Sequence, residues 1–353
     1  MTKQYLYDER ELLFDSLLLE HRIFAAIDHI EELTIENPRR AANFAEYIEP
    51  KLRMLQDRDE EAEASIALAA AYWFDGIRDR ATFTLARAEK LATTPTTAAA
   101  IVGLLASNTL NNSGRSTEQE LCEAERHIDH MEKILAEIDV KIVQSALSME
   151  AKLLRSLVIR LRGDIPAAAQ SLVDTFTTIR AQNAPPIEKL VDRSARFQRR
   201  AERYRHSAVL NLVLLSAEFP DQIDVGSVLG LRFIRPSRKH GTSRSEAMLS
   251  WAYGRARASE GDRRGARKHF TDALDGLMAM GSVRDAAFVA LDMVAVHRSH
   301  QRTPVEDAIA RLAADDNQPA SARAAARRFL ECQDADAAQA LARTIRFPSL
   351  VLC

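Results

Sequence analysis

The stretch "WAYGRARASEGDRRGARKHFTDAL", Trp251 to Leu274, holds three glycines and six Lys/Arg residues in twenty-four positions. Glycines beside a lysine suggest a loop that wraps a phosphate. Glycines between two apolar-periodic runs suggest the turn of a helical hairpin. A Walker-type loop needs two glycines five residues apart, then Lys and Ser/Thr, between a strand and a helix. Here Gly261 and Gly265 are four apart, Lys268 is followed by His269, and no strand-like run precedes them. The dinucleotide fingerprint fails as well, because Gly254, Gly261 and Gly265 have the wrong spacing. The stretch reads as a hairpin.

Its pattern recurs. In "AAAYWFDGIRDRATFTLARAEKL" (69–91), "SLVIRLRGDIPAAAQSLVDTF" (156–176) and "GRARASEGDRRGARKHFTDAL" (254–274), a glycine is followed by alanine five residues later and a large apolar residue nine later. These sets are Gly76/Ala81/Leu85, Gly163/Ala168/Leu172 and Gly261/Ala266/Phe270, and twelve residues on come Ala88, Thr175 and Ala273. One helix ends at a glycine able to adopt the left-handed conformation. Asp164 or Asp262 then caps the next helix, and Pro166 falls in its first turn, where a missing N–H costs little. The small alanine lets the second helix cross closely over the first, and the larger residue fills the groove.

This arrangement resembles the tetratricopeptide repeat, with Tyr72, Gly76, Ala81, Leu85 and Ala88 matching the second half of that pattern. The first-helix Trp and Leu-Gly signature is mostly missing, and Trp251, Tyr253 and Gly254 are its nearest approach. Residues 246–330 are also similar to the C-terminal repeats of bacterial regulatory proteins. The resemblance implies a right-handed superhelical solenoid of two-helix hairpins that binds other proteins. Further, degenerate hairpins are expected at Gly114 and near Gln301–Thr303.

Composition agrees with an all-α chain. Among 353 residues Gly and Pro number 12 and 11, and aromatics make up 6%, whereas a sheet protein needs more turn and β-branched residues. The periodicity predicts helices near 8–35, 39–55, 59–75, 78–92, 97–111, 116–137, 139–162, 165–182, 187–217, 223–232, 244–260, 263–280, 282–299, 303–314 and 318–344. The expected organisation is an N-terminal helical cap (1–58), repeats (59–182), a long basic helix and loop (183–245), and C-terminal repeats with capping helices (246–353). The first residues carry no secretory signal pattern, no charge-free apolar run reaches membrane-spanning length, and three scattered cysteines suit a reducing compartment. A cytoplasmic location is the expectation.

Catalytic and metal-binding patterns are weak. His127/His130 and His297/His300 stand three residues apart, so either pair can share a helix face, but zinc motifs on helices place histidines four apart with a glutamate between. Surface histidines on charged helices are the simpler reading. No nucleophile elbow occurs, and the carboxylates of "DRDEEAEAS" (57–65) suit the first turn of a helix. No catalytic residue, cofactor or metal is therefore expected.

Charge is more informative. Between Asp192 and Lys268 there are seventeen Lys/Arg against eight Asp/Glu, although the whole chain has a net charge of −2. In the helix from Ile187, Leu190, Phe197, Ala201, Tyr204 and Ala208 form an apolar stripe, with Arg193, Arg196, Arg199, Arg200 and Arg203 beside or opposite it. Together with Arg235, Arg238, Lys239 and Arg244 in and after the basic loop, these are the expected partner-binding residues, with Arg196, Arg199 and Arg203 projecting into solvent. The expected partner is another protein through an acidic or extended segment. A nucleic-acid-binding regulator using the 193–268 surface is the rival, disfavoured because Phe197 and Tyr204 lie on the apolar face, away from any base.

Overall fold

A computed structural model describes residues 27, 29–31, 33–34, 38–53, 55–75, 77–111, 117–180, 192–230, 244–279, 281–297, 302–315, 320–332 and 335–344, with most of their side chains. The described residues contain helices and turns and no strand. The helices are α1 (Pro38–Leu52), α2 (Arg58–Phe74), α3 (Arg78–Leu91), α4 (Pro95–Asn111), α5 (Glu118–Leu135), α6 (Lys141–Leu161) and α7 (Ile165–Arg180). They continue as α8 (Asp192–Glu218), α9 (Val225–Gly230), α10 (Arg244–Ser259), α11 (Arg263–Ala279), α12 (Val283–His297), α13 (Arg302–Ala314), α14 (Ala320–Cys332) and α15 (Ala335–Thr344). The expected helix over 318–344 is two helices, α14 and α15.

Contacts divide the chain into two compact units. One comprises 1–109, 122–151 and 183–202, the other 110–121, 152–182 and 203–353. In the first, α1 packs on α2 and α2 on α3; in the second, each helix from α10 to α15 packs on its sequence neighbour. No described helix is long and apolar enough to cross a membrane.

The turns follow from the glycines. Gly163, Gly261 and Gly281 have φ of 90°, 83° and 71°, a region in which a side chain costs energy. Each closes a paired helix end. The amides of Gly163 and Asp164 donate to the carbonyls of Arg160 and Ile159, those of Gly261 and Asp262 to Ala258 and Arg257, and those of Gly281 and Ser282 to Met278 and Leu277. The following residue then caps the next helix in two cases: Asp164 Oδ1 accepts from the Ala167 amide at 3.1 Å, and Asp262 Oδ1 from the Gly265 amide at 2.8 Å. Gly76 lies outside the described residues, but the Ile77 amide still donates to the Tyr72 carbonyl.

The small–large pattern is buried as its spacing requires. Ala81, Ala168 and Ala266 are buried, as are Leu85, Leu172 and Phe270. The three glycines of the opening stretch serve three separate purposes. Gly261 makes the turn. A β-carbon on Gly254 would stand 3.1 Å from the Phe270 ring, so this glycine lets α10 and α11 approach. A β-carbon on Gly265 would collide with the Asp262 carboxylate, so that glycine makes room for the cap.

The second half of α8 has no polar face. Every residue from Ser207 to Ser216 is buried, as an apolar sequence on all sides demands. Its polar groups are satisfied locally: Asn211 Nδ2 donates to the Ser207 carbonyl at 2.7 Å and Ser216 Oγ to the Val213 carbonyl at 2.8 Å.

Candidate functional site

The arginines of α8 were expected on a solvent-facing surface, and the structure corrects this for Arg196. Its side chain is 2% exposed. Nη2 donates to Glu31 at 2.5 Å and Nη1 to Glu63 at 2.8 Å, and both carboxylates belong to the same unit. Burial alone would lower the guanidinium pKa, but Glu31 and Glu63 outweigh it and hold the group above its ordinary value. A charge so placed is tolerated only because it is paired. Arg200 also points inward, where Nη2 donates to Glu150 at 3.2 Å. A β-carbon on Gly103 would meet that Glu150 carboxylate at 3.1 Å. Arg203 is half-buried. The side chains of Arg193 and Arg199 lie outside the described residues.

Phe197, Tyr204 and Ala208 of the apolar stripe are buried and Ala201 is half-buried; Leu190 lies outside the described residues. Arg196 and Arg200 flank this stripe, so their long side chains reach past it to acids on neighbouring helices. Those acids are distant in sequence, Glu63 by 133 residues and Glu31 by 165. Local spacing carries no trace of such a pair.

Of the loop residues, Arg235, Arg238 and Lys239 lie outside the described residues. Arg244 begins α10 and is corrected too: it is 7% exposed, and Nε donates to Asp285 at 2.5 Å. Ser282 Oγ donates to the same Asp285 oxygen at 2.9 Å, so the Gly281 turn, the start of α12 and the start of α10 are joined. The same two helices meet again at Trp251, whose Nε1 donates to Asp292 at 2.8 Å and whose ring meets Phe288 edge-on at 5.3 Å. Arg255 Nε stands 3.6 Å from the same carboxylate.

The acids of 57–65 likewise do more than favour a helix start. Asp57 caps α2 by accepting the Asp59 and Glu60 amides. Asp59 accepts the Thr93 amide at 2.7 Å and the Thr94 amide at 3.2 Å. Burial would raise the Asp59 pKa, but hydrogen bonds from Thr94 and Thr93 hold it below the ordinary value. Glu61 pairs with Arg87 and Glu63 with Arg196.

A run of described basic residues that does face solvent lies in the opening stretch. Arg263, Arg264, Arg267 and Lys268 of α11 are all exposed, and none has a carboxylate partner within 4 Å among the described residues. They contribute to the local charge excess in the sequence, but apolar-stripe reasoning singles out the α8 arginines instead. No group of three or more His, Cys, Asp or Glu suited to a metal ion occurs among the described residues. His127 faces Glu123 at 3.9 Å, and burial pushes its pKa below 6.5. The side chain of His297, and His300, lie outside the described residues. A shallow cleft lined by Ser156, Leu157, Arg160, Ala168, Leu172, Asn211 and Leu215 lies in the second unit, and its arginine pairs with Glu218 at 2.6 Å.

The chain matches no family model, no curated protein and no solved structure.

Proposed function

We propose that the protein is a non-catalytic adaptor of the tetratricopeptide-like, right-handed solenoid kind, which captures another protein in the bacterial cytoplasm and so controls transcription, signalling or a defence effector. The observation that carries this reading is the serial packing of α10 to α15, each helix on its sequence neighbour, with glycine turns at Gly261 and Gly281. In repeat arrays such packing presents successive helix faces as one extended binding surface. Two exposed thiols, Cys122 and Cys332, support a reducing compartment. The nucleic-acid alternative loses Arg196, Arg200 and Arg244, whose guanidiniums are engaged within the fold.

The test is site-directed photo-crosslinking in lysate of the native host. A photoreactive residue replaces Phe83 on α3, which is 69% exposed, or Thr271 on α11. The expected result is a stoichiometric adduct with one protein, competed by unlabelled chain. Adducts with nucleic acid alone, or none from either position, would overturn the reading.

A further inference from the structure

We infer that the exposed face of the first half of α11, formed by Arg263, Arg264, Arg267 and Lys268, is the docking site for a short acidic peptide segment of the partner. The inference rests on the adaptor reading and names the chemistry the partner must present.

Four cations stand within six residues, a rise of about 7.5 Å along the helix. Arg264 and Lys268, adjacent at i, i+4, form a column on the side opposite the buried Ala266, Phe270 and Ala273, and Arg263 and Arg267, also i, i+4, form a second column at the margin of the buried side. All four are exposed and none is matched by a carboxylate within 4 Å among the described residues. Some arginines elsewhere in the fold do meet acids directly, as Arg87 meets Glu61, Arg160 Glu218 and Arg162 Glu118. The cluster also opposes its own helix, because cations in the first turn repel the positive end of the macrodipole and like charges at i, i+4 repel each other. An arriving anion relieves both effects, and arginine offers carboxylate a planar fork.

The surroundings of the cluster select the class of anion. Asp272 and Asp275 are exposed one to two turns further along α11, and Glu260 and Asp262 are exposed just before it. The positive surface is therefore short and bounded by carboxylates at both ends. A nucleic-acid backbone or an anionic bilayer carries negative charge well beyond 10 Å and would meet those carboxylates. A peptide with two to four acidic residues, followed by a basic one opposite Asp272 and Asp275, fits the whole face. Acidic side chains at alternate positions of an extended segment repeat at about 7 Å, close to the rise of about 6 Å between the two cations of each column.

The experiment measures fluorescence anisotropy of the full chain with a labelled tetraglutamate peptide, a labelled twelve-base-pair DNA duplex and phosphatidylserine vesicles, at low salt. Tetraglutamate is expected to bind the unaltered chain. The R264E/R267E/K268E triple variant should lose at least tenfold in affinity, about 1.4 kcal/mol, with an unchanged circular dichroism spectrum, and rising salt should mimic it. D272K/D275K, which extends the positive surface, should tighten binding. The inference falls if tetraglutamate does not bind, or binds the triple variant unchanged. It also falls if the duplex or vesicles bind more tightly than the peptide and lose that binding in the triple variant. These outcomes differ from failure of the adaptor reading. A protein crosslinked through α3 with the α11 variants inert leaves the adaptor standing and removes this site.

Discussion

The Phe270 ring lies against Gly254 so closely that a β-carbon on the glycine would stand 3.1 Å from two ring carbons and 3.2 Å from a third. Phe270 is fully buried and its neighbours Ala266 and Ala273 fill the same crossing, so the ring has nowhere to retreat. Gly254→Ala should therefore overpack the α10–α11 crossing by about 1–3 kcal/mol, more than the gain in helix propensity, about 1 kcal/mol. Gly265→Ala is the contrast. Its methyl displaces only the mobile Asp262 carboxylate, so the lost cap, about 0.5–2 kcal/mol, is largely offset by propensity. Urea midpoints check both. A larger loss from Gly265→Ala than from Gly254→Ala would show that the crossing is loose.

Ala266→Leu tests the same crossing from the other helix. Ala266 is fully buried, and the added side chain is expected to cost about 1–3 kcal/mol. An unchanged thermal midpoint would mean that Ala266 does not sit at a close approach.

What the sequence made legible was local. A glycine that ends one helix, an aspartate that caps the next and an alanine five residues on all act within a few turns of chain, so their spacing encodes the structure directly. Gly281 has the same turn chemistry and Ala286 five residues later, but Ala290 stands where the pattern asks for a large residue, so the spacing does not reveal this turn. The burial of Arg196 and Arg244 was not legible for the opposite reason. Whether an arginine is solvated depends on acids that the fold brings to it, and for Arg196 these come from Glu31 and Glu63, far away in sequence. The exposed cluster Arg263, Arg264, Arg267 and Lys268 shares its stretch with the turn glycine Gly261.

Arg196 should be indispensable to the first unit. Removing it leaves Glu63, 3% exposed, and the mostly buried Glu31 facing each other without a counter-charge. Arg196→Met is therefore expected to cost about 3–5 kcal/mol. The combined E31L/E63L/R196M variant should recover most of that loss, because an apolar replacement of a buried ion cluster is often neutral. A chemical-denaturation series measures this. An unaffected Arg196→Met would mean that the cluster is hydrated in solution.

Stability should fall on mild acidification. Burial pushes the His269 pKa below 6.5, with Asp272 and Asp262 opposing the shift and Arg257 and Lys268 adding to it. Its ring stacks on Tyr253 at 5.4 Å. The unfolded chain thus binds a proton at a pH where the folded chain resists it. The contribution is complete above pH 6.5 and is lost as pH falls toward the lower folded value. Urea midpoints should be lower at pH 5.5 than at 7.5. His269→Phe, which keeps the stacked ring, should reduce the difference and leave the share due to His127, shifted in the same direction by burial. An identical pH response in His269→Phe would exclude His269 as a source.

The charge order along α11 supplies the last test. Arg263, Arg264, Arg267 and Lys268 occupy its start, and Asp272 and Asp275 its later turns. This is the reverse of what the helix dipole favours, since anions are preferred at the N-terminus and cations at the C-terminus. The ends of α2 differ, with Asp59, Glu60 and Glu61 in its first turn. Because the α11 cations have no carboxylate partner among the described residues, Arg263→Glu and Arg264→Glu should each stabilise the folded chain, by about 0.3–1 kcal/mol at low ionic strength. The gain should shrink as salt rises. A thermal-denaturation series at two salt concentrations decides the matter. Destabilisation by either reversal would mean that these arginines hold the fold together, and the face would then not be free to receive a partner.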